Sequence, residues 1–167
     1  MDTINDDSRS MQIHPIINQI VVFTIDDLLY ALPLSTVIRV IHVVEITQLP
    51  KAPEIISGII NVKGQIIPVI DVRKRFGMAS REISPDDQMI LADTGKRQVA
   101  ILVDTVTGIK DITPRQHVEI KETLPFAEYI KGVAKIEEEL ILIYDLEQFL
   151  NLNEEKELVQ ALSKTGK

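Results

Sequence analysis

Two stretches of the sequence repeat one order of residue types, and this repeat most constrains the fold. Residues 58–71 and 132–145 each run from a Gly through an apolar strand and a two-residue turn to a second apolar strand that ends in Asp. A shorter pair, 32–37 and 101–106, matches in the same order along the chain. Strands joined by tight turns form hairpins, and small hairpin units protect their edges by closing into barrels. The sequence therefore predicts a duplicated fold of two similar lobes.

Composition favours strands for most of the remaining chain. Only 4% of the residues are aromatic and there is no Trp, so the core must consist largely of Ile, Val and Leu. Side chains branched at Cβ favour strands over helices. Further hairpins are predicted with turns at Asp26-Asp27 and at Thr94-Gly95-Lys96. The predicted fold class is all-β with short helices.

One longer helix is predicted at the C-terminal end. In residues 153–164, Asn153 is a suitable N-cap, and Leu158 and Leu162 lie one helical turn apart. We assign residues 153–167 to this C-terminal helix and a short tail.

The predicted organisation is a single domain made of two lobes. Residues 1–17 are polar and are expected to form a mobile tail before the domain at 18–152. A polar connector that contains Pro85 is the best candidate for a boundary between the lobes. The lobes are therefore expected at about 18–84 and 85–152, with exchange of strands between them allowed.

Net charge and residue usage exclude several functional classes. Lys and Arg number 18 and Asp and Glu 25, which gives a formal charge of −7. An acidic chain with few aromatic residues is a poor nucleic-acid binder, because such binding depends on phosphate neutralisation and base stacking. The sequence has no long apolar run that could span a bilayer and no signal-peptide pattern at its start. Without cysteines it has no disulfide or thiolate site, so we expect a soluble cytoplasmic protein.

No reaction centre, cofactor or metal site is predicted. His14, His42 and His117 lack a second ligand-type residue at the spacing that a helical metal site requires. The sequence has no phosphate-binding glycine loop and no G-x-S-x-G elbow. A Ser-His-Asp triad assembled from distant positions stays open, because triads do not depend on sequence order.

Two sets of carboxylates each have two interpretations. Asp26-Asp27 follow a strand, as acidic phosphoacceptor pockets do, but the strand-like segment after them favours two exposed aspartates in a hairpin turn. Asp71 and Asp145 suggest a carboxylate pair, but their repeated position before short helical segments favours N-caps.

The repeat also contains a specific motif. The segment "GIINVKGQIIPVIDVRKRFG", residues 58–77, resembles the signature of the CheW family of chemotaxis adaptors. The similarity extends over about residues 18–152. The residues that match the family motif are Gly58, Asn61, Gly64, Pro68, Asp71 and Arg73.

The resemblance implies both a fold and a function. The implied fold is two small five-stranded Src-homology-3-like β-barrels, and the implied protein has no enzymatic activity and no cofactor. Such adaptors couple a CheA-type histidine kinase to methyl-accepting chemoreceptors, by binding the regulatory domain of the kinase and the cytoplasmic tip of the receptor. The protein would be cytoplasmic and recruited to membrane-bound receptor arrays. The alternative is a CheW-like adaptor of another chemosensory pathway, for pilus motility or a second messenger.

The resemblance also implies two sets of contact residues. An apolar groove between two barrels can hold a helix of the receptor tip. The implied receptor-binding residues are Val37, Ala100, Val106 and Ile109. The implied kinase-binding residues are Arg39, Ile41, Lys63, Gly64 and Ile66. Strand Val and Ile side chains are commonly core residues and a turn Lys is commonly only solvated, so those interpretations stay open.

Two positions depart from the family pattern. At Arg39 the family commonly carries Glu, and at Lys63 it commonly carries Arg. A pair of opposite charges therefore becomes two cations here, and Lys cannot supply the planar fork of Arg. Our hypothesis is that this adaptor uses a partner that has changed with it, or works in a divergent array or another pathway.

Overall fold

The computed structural model describes residues 18–118 and 126–165. The predicted tail at 1–17 lies outside these ranges, as does the second half of a strand that the sequence predicts at residues 117–120.

Strands dominate the described chain, as the sequence predicts. The strands are β1 (Gln19–Ile25), β2 (Leu28–Pro33), β3 (Val37–His42), β4 (Ile56–Val62), β5 (Gln65–Ile70), β6 (Gln88–Asp93), β7 (Gln98–Val103), β8 (Thr105–Asp111), β9 (His117–Val118), β10 (Ile130–Ile136) and β11 (Glu139–Tyr144). The α-helices of these ranges are α1 (Val72–Arg75) and α2 (Leu152–Thr165). Neither helix is long and apolar enough to cross a membrane.

The described strands form two sheets with equivalent strand orders. The first sheet has the order β8-β1-β2-β11-β10-β9, and the second has the order β3-β6-β7-β5-β4. Each sheet contains one parallel pair, β2 with β11 and β5 with β7, and all its other pairs are antiparallel. Strands β6, β7, β3, β4 and β5 of the second sheet correspond to β1, β2, β8, β10 and β11 of the first. The predicted duplicated all-β fold with a C-terminal helix is therefore confirmed.

The two lobes are interleaved along the chain rather than consecutive. Strands β1 and β2 join the sheet of β8 to β11, while β6 and β7 join the sheet of β3 to β5. Each sheet thus takes strands from both sides of the boundary expected between residues 84 and 85. The physical reason is a short link: only Asp104 separates β7 from β8. One residue is too few for a hairpin turn, so the chain runs on into the other sheet.

The second sheet closes on itself through the segment that follows β3. The N–H of Thr47 donates to the carbonyl of Ile59 in β4 at 2.8 Å, and the reverse bond measures 2.7 Å. Since β3 and β4 are the two edge strands of this sheet, the bridge closes it as a five-stranded barrel. The first sheet has six strands rather than five, because its equivalent segment, His117–Val118, pairs with β10 as a separate short strand.

Within the described ranges, the core is divided into three apolar clusters. The cluster inside each barrel contains no aromatic residue and is built around Ile, Val, Leu, Met and Ala. The third cluster lies between the two sheets and the C-terminal helix. The aromatic residues of the chain form one continuous set of ring contacts in and beside this cluster, with ring centroids 4.7 to 6.2 Å apart. They are Phe23, Tyr30, Phe76, Phe126, Tyr129, Tyr144 and Phe149.

The C-terminal helix α2 begins earlier than the sequence pattern predicts. The N–H of Glu154 donates to the side chain of Asn151 at 2.7 Å, and the Glu154 carboxylate accepts the Asn151 N–H at 2.9 Å. This reciprocal pair is a capping box, so the prediction that Asn153 caps the helix was wrong. The predicted apolar face is confirmed, because Leu158 is buried in the cluster between the sheets and Leu162 is partly buried against it.

Candidate protein-binding surfaces

The hairpin of β4 and β5 carries the family motif at its tip. Val62 pairs with Gln65 across the hairpin, which leaves Lys63 and Gly64 as a two-residue turn. Both have positive φ angles, 51° and 87°, as a type I′ turn requires. The side chain of Asn61 accepts the Gly64 N–H at 2.8 Å. The spacing of Asn61 and Gly64 in the motif is thus explained by the turn, and the Lys63 side chain is left exposed to solvent.

The other motif residues hold the hairpin in the barrel. A Cβ atom on Gly58 would lie 2.4 Å from the carbonyl oxygen of Thr47 and 2.7 Å from a methyl group of Ile46. Only glycine fits where the closing segment crosses β4 so closely. Pro68 is buried opposite Ile59 on β5. Asp71 caps α1 by accepting the N–H of Lys74 at 2.9 Å, so its predicted role as an N-cap is confirmed.

The implied kinase-binding residues all lie on the second barrel. Arg39 is exposed on β3, and Ile66 on β5 is 46% exposed. Ile41 is half-buried and packs against the core of the same barrel, as does Val62 beside the hairpin turn. Within the described residues, neither Arg39 nor Lys63 forms an ion pair. These residues therefore lie on one barrel, where Arg39, Lys63, Gly64 and Ile66 are exposed and Ile41 is half-buried.

The implied receptor-binding residues divide into surface and core. Val37 begins β3 and Val106 lies at the start of β8, and both are half-buried against the cluster between the sheets. Ile109, further along β8, is 59% exposed. Ala100 is 0% exposed, because it lies on the central strand β7 and faces the core of the second barrel. A partner cannot contact Ala100 in this fold, so the expectation that it lines the groove needs correction.

A group of ion pairs, which the sequence did not predict, joins the two sheets. Arg73 forms a bidentate pair with Asp26, with both distances 2.8 Å, and reaches Asp104 at 3.3 Å. Arg81 forms a second bidentate pair, with Asp87, at 2.8 and 3.0 Å, and also contacts Asp104. We call these five side chains the ion-pair cluster.

Titration of the aspartates in the ion-pair cluster follows from these contacts. The hydrogen bonds from Arg73 lower the pKa of Asp26. Burial alone would raise the pKa of Asp87, but hydrogen bonds from the Arg81 guanidinium and the Ser84 N–H outweigh it, so this pKa is also lowered. Both carboxylates are therefore held in the charged form that the arginines require.

The sequence indicated only part of the ion-pair cluster. The turn at Asp26-Asp27 is confirmed, since Ile25 pairs with Leu28 across it. The expectation that both aspartates are merely exposed misses the bond from Asp26 to Arg73, 47 positions away. That contact depends on the exchange of hairpins between the lobes. The position of Arg73 in the family motif was the one available indication.

The described residues do not provide a group of three or more His, Asp or Glu that could hold a metal ion. His42 lies exposed on β3 and His117 begins β9, while His14 lies outside the described ranges.

Asp71 and Asp145 occupy equivalent positions in the repeat, but Asp145 forms no side-chain capping bond to the 3-10 turn after it. Burial raises the pKa of Asp145, and the nearby charge of Lys131 opposes that effect.

Comparison with known proteins gives consistent matches over both sheets. The family model of the CheW-like domain matches residues 19–154. The chemotaxis protein CheW of Klebsiella aerogenes is 27% identical over 152 residues, which cover 88% of this chain and 89% of that protein. The chemotaxis protein CheW of Thermotoga maritima is 32% identical over 136 residues, covering 79% and 87%. The solved scaffolding protein TtCheW of Thermoanaerobacter tengcongensis matches with a TM-score of 0.75 at 33% identity, covering 83% of this chain and 96% of that one.

Proposed function

The chain belongs to the CheW-like family, and we propose that, as a chemotaxis scaffold, it couples a CheA-type histidine kinase to methyl-accepting chemoreceptors. The observation that carries this proposal is the match over residues 19–154, which spans both sheets, to chemotaxis proteins and to a solved scaffolding protein. A scaffold must present two separate surfaces on one body, and the fold offers one on the second barrel and one where the sheets meet.

The proposed kinase surface lies on the second barrel. It consists of Arg39, Ile41, Lys63, Gly64 and Ile66. Ile66 supplies an exposed apolar anchor, and the cations Arg39 and Lys63 on the same barrel favour an acidic partner surface. The positive charge at Arg39 and Lys63 supports the hypothesis of a partner that has changed with this chain. On that hypothesis, Arg39→Glu weakens binding to the kinase encoded in the same genome, and tighter binding would exclude it.

The proposed receptor surface is formed by Val37, Val106 and Ile109. Val37 and Val106 are equivalent in the repeat, and each contacts the apolar cluster between the sheets. A helical receptor tip can place apolar side chains at intervals of one turn against such a seam. Ala100 is left out of this surface because it is fully buried.

The proposal assigns a binding role without catalysis or cofactor, in the cytoplasm beside the receptor arrays. Two surfaces on one scaffold hold the kinase against the receptor tip, where small receptor motions bias kinase activity. A CheW-like adaptor for pilus motility or a second-messenger pathway would use the same two surfaces with other partners.

Binding experiments with two isolated partners test this proposal. The wild-type chain should bind both the kinase regulatory domain and a cytoplasmic receptor hairpin from the same genome in calorimetry. Ile66→Asp should weaken kinase binding at least about tenfold, as loss of an interface anchor does, and leave receptor binding unchanged. Ile109→Asp should do the reverse. Val159→Asp on the exposed face of α2, where Val159 is 49% exposed, is the matched control.

Failure of the wild-type chain to bind either partner would refute the proposal. Binding to partners of a pilus or second-messenger system instead would select the alternative pathway. Phosphate transfer from labelled acetyl phosphate or ATP to the chain would indicate an enzyme rather than a scaffold.

A further inference from the structure

The chain crosses from one sheet to the other at two equivalent points of the repeat. The first crossing, Leu34–Thr36, links β2 to β3, and the Thr36 hydroxyl donates to the Pro33 carbonyl at 2.8 Å. The second crossing is Asp104, between β7 and β8. No side chain of the first crossing forms an ion pair with another described residue, while the second crossing lies in the ion-pair cluster. The two crossings are therefore stabilised very differently.

Asp104 connects three segments of the fold through one residue. Its N–H donates to the Thr24 carbonyl of β1 at 3.0 Å. One carboxylate oxygen accepts the backbone N–H of Asp26, in the turn of the first sheet, at 2.8 Å. The other accepts from Arg73 on α1 and from Arg81 in the connector before β6. Asp104 therefore joins the first sheet to the segments that follow β5 of the second sheet, namely α1 and the connector before β6.

The geometry of the ion-pair cluster restricts the relative orientation of the paired side chains as well as the distance between them. The side chain of Arg73 is 15% exposed and that of Asp26 46%, and Arg73 donates to Asp26 through both of its terminal guanidinium nitrogens. Planar bidentate pairs fix direction in a way that a point charge does not. The pair of Arg81 with Asp87, whose side chain is only 4% exposed, is also screened less by salt than a fully exposed pair. The ion-pair cluster thus acts as a fixed joint between the sheets.

The joint lies directly beside the proposed receptor surface. Val106 is two residues after Asp104, and its N–H donates to the Gln88 side chain of the second sheet at 2.7 Å. Val37 is paired with Ala92 on the same strand of the second sheet, β6. The separation of Val106 and Ile109 from Val37 therefore depends on how the two sheets are fixed here, by the Val106–Gln88 bond and by the contacts of Asp104.

We propose that Asp104 is a positioning residue for receptor binding, which acts through the ion-pair cluster by fixing the two sheets and the spacing of Val37 and Val106. It does not itself contact the receptor. The receptor part of this inference rests on the proposed function, whereas the fixed joint between the sheets stands independently of it.

A distance measurement tests the joint directly. The chain has no cysteine, so spin labels at Lys63→Cys and Glu137→Cys report the separation of the exposed hairpin tips of the two sheets. Asp104→Asn should shift or broaden the distance distribution by pulsed electron resonance. Glu155→Gln, which removes an ion pair between α2 and Arg97 away from the crossing, should leave it unchanged. An unchanged distribution for Asp104→Asn would refute the inference.

Affinities measured on unlabelled protein test the consequence for binding. Asp104→Asn should weaken binding of the receptor hairpin at least about tenfold, within the usual range of coupling between distant groups. Its affinity for the kinase regulatory domain should stay within about twofold, because that surface lies on one barrel. Equal loss of both affinities would contradict a positioning role. If the wild-type chain binds no receptor, the proposed function fails while the distance measurement still decides the joint.

A second variant keeps the test valid if Asp104→Asn does not fold. Arg73→Lys retains the charge but loses the planar fork, so it should broaden the same distance distribution. Exchanging the partners, with Asp26→Arg and Arg73→Asp together, should restore a narrower distribution than Arg73→Asp alone. Failure of the exchange to narrow it would count against the ion-pair cluster as the joint.

Discussion

The two repeated hairpins have the same backbone but different surroundings. Both β4–β5 and β10–β11 have a two-residue turn, and in both the register shifts just before the leading Gly, at Gly58 or Gly132. The first hairpin is crossed by the segment that closes its barrel and leads into α1 and the ion-pair cluster. The second hairpin leads into a 3-10 turn and has space around its Gly. The repeated pattern thus determines the backbone of each hairpin, whereas the contacts with surrounding segments determine how much each residue contributes to stability.

The largest expected difference between the hairpins is at their leading glycines. Gly58→Ala should lower the free energy of unfolding by at least about 3 kcal/mol, because the new Cβ would collide with backbone atoms that cannot move freely. Gly132→Ala should change it by less than about 1 kcal/mol, since the nearest atom, in Ile143, lies 3.7 Å from the added Cβ. Urea denaturation of both variants measures the difference. Equal losses would show that the closing segment does not constrain Gly58.

Several features of the fold were predictable from the sequence because they are local. The turns at Lys63-Gly64 and Asp26-Asp27, and the cap at Asp71, follow from residue types within a few positions. The burial of Ala100 was not predictable, because "QVAILV" is apolar on both faces of a strand that is buried on both sides. Nothing in such a run shows which side chain faces which core.

The exchange of hairpins and the ion-pair cluster were not predictable for a related reason. A single residue, Asp104, decides that β8 leaves the sheet of β7. The contact of Arg73 with Asp26 forms only after that exchange. Long-range charge pairs of this kind have no periodic signal, so the sequence indicated a duplicated fold and a motif without showing how the two lobes are joined.

The tips of the hairpins provide a second, smaller contrast. Gly64 has a φ of 87° and Glu138, at the equivalent position, has a φ of 71°. A side chain in this left-handed region costs about 1 kcal/mol. Gly64→Glu should therefore lower the free energy of unfolding by about 0.5 kcal/mol, because the space around Gly64 is open and the backbone strain is partly offset by the smaller freedom of Glu in the unfolded chain.

The opposite exchange sharpens this contrast. Glu138→Gly should raise the free energy of unfolding by about 0.5 kcal/mol, since relief of strain is partly offset by the greater freedom of glycine in the unfolded chain. Its ion pair with Lys135 is exposed and 3.9 Å long, so its loss contributes little. Thermal unfolding of the two variants should give shifts of opposite sign. Shifts of the same sign would mean that the tips do not share one turn geometry.

The aspartates that end the hairpins provide a third contrast, and this one changes with pH. Asp71→Ala should cost about 1 kcal/mol at neutral pH through loss of the cap. Asp145→Ala should cost less than about 0.5 kcal/mol there, because Asp145 forms no such cap.

Burial raises the pKa of Asp145 above its ordinary value of 3.8, so the folded state binds its proton more tightly than the unfolded state does. The stability that this proton contributes is complete below pH 3.8 and is lost as the pH rises through the raised pKa. The advantage of the wild-type chain over Asp145→Ala should therefore grow as the pH falls from neutral towards this range, in urea denaturation at a series of pH values. A constant difference would show that Asp145 is as well solvated in the folded chain as in the unfolded one.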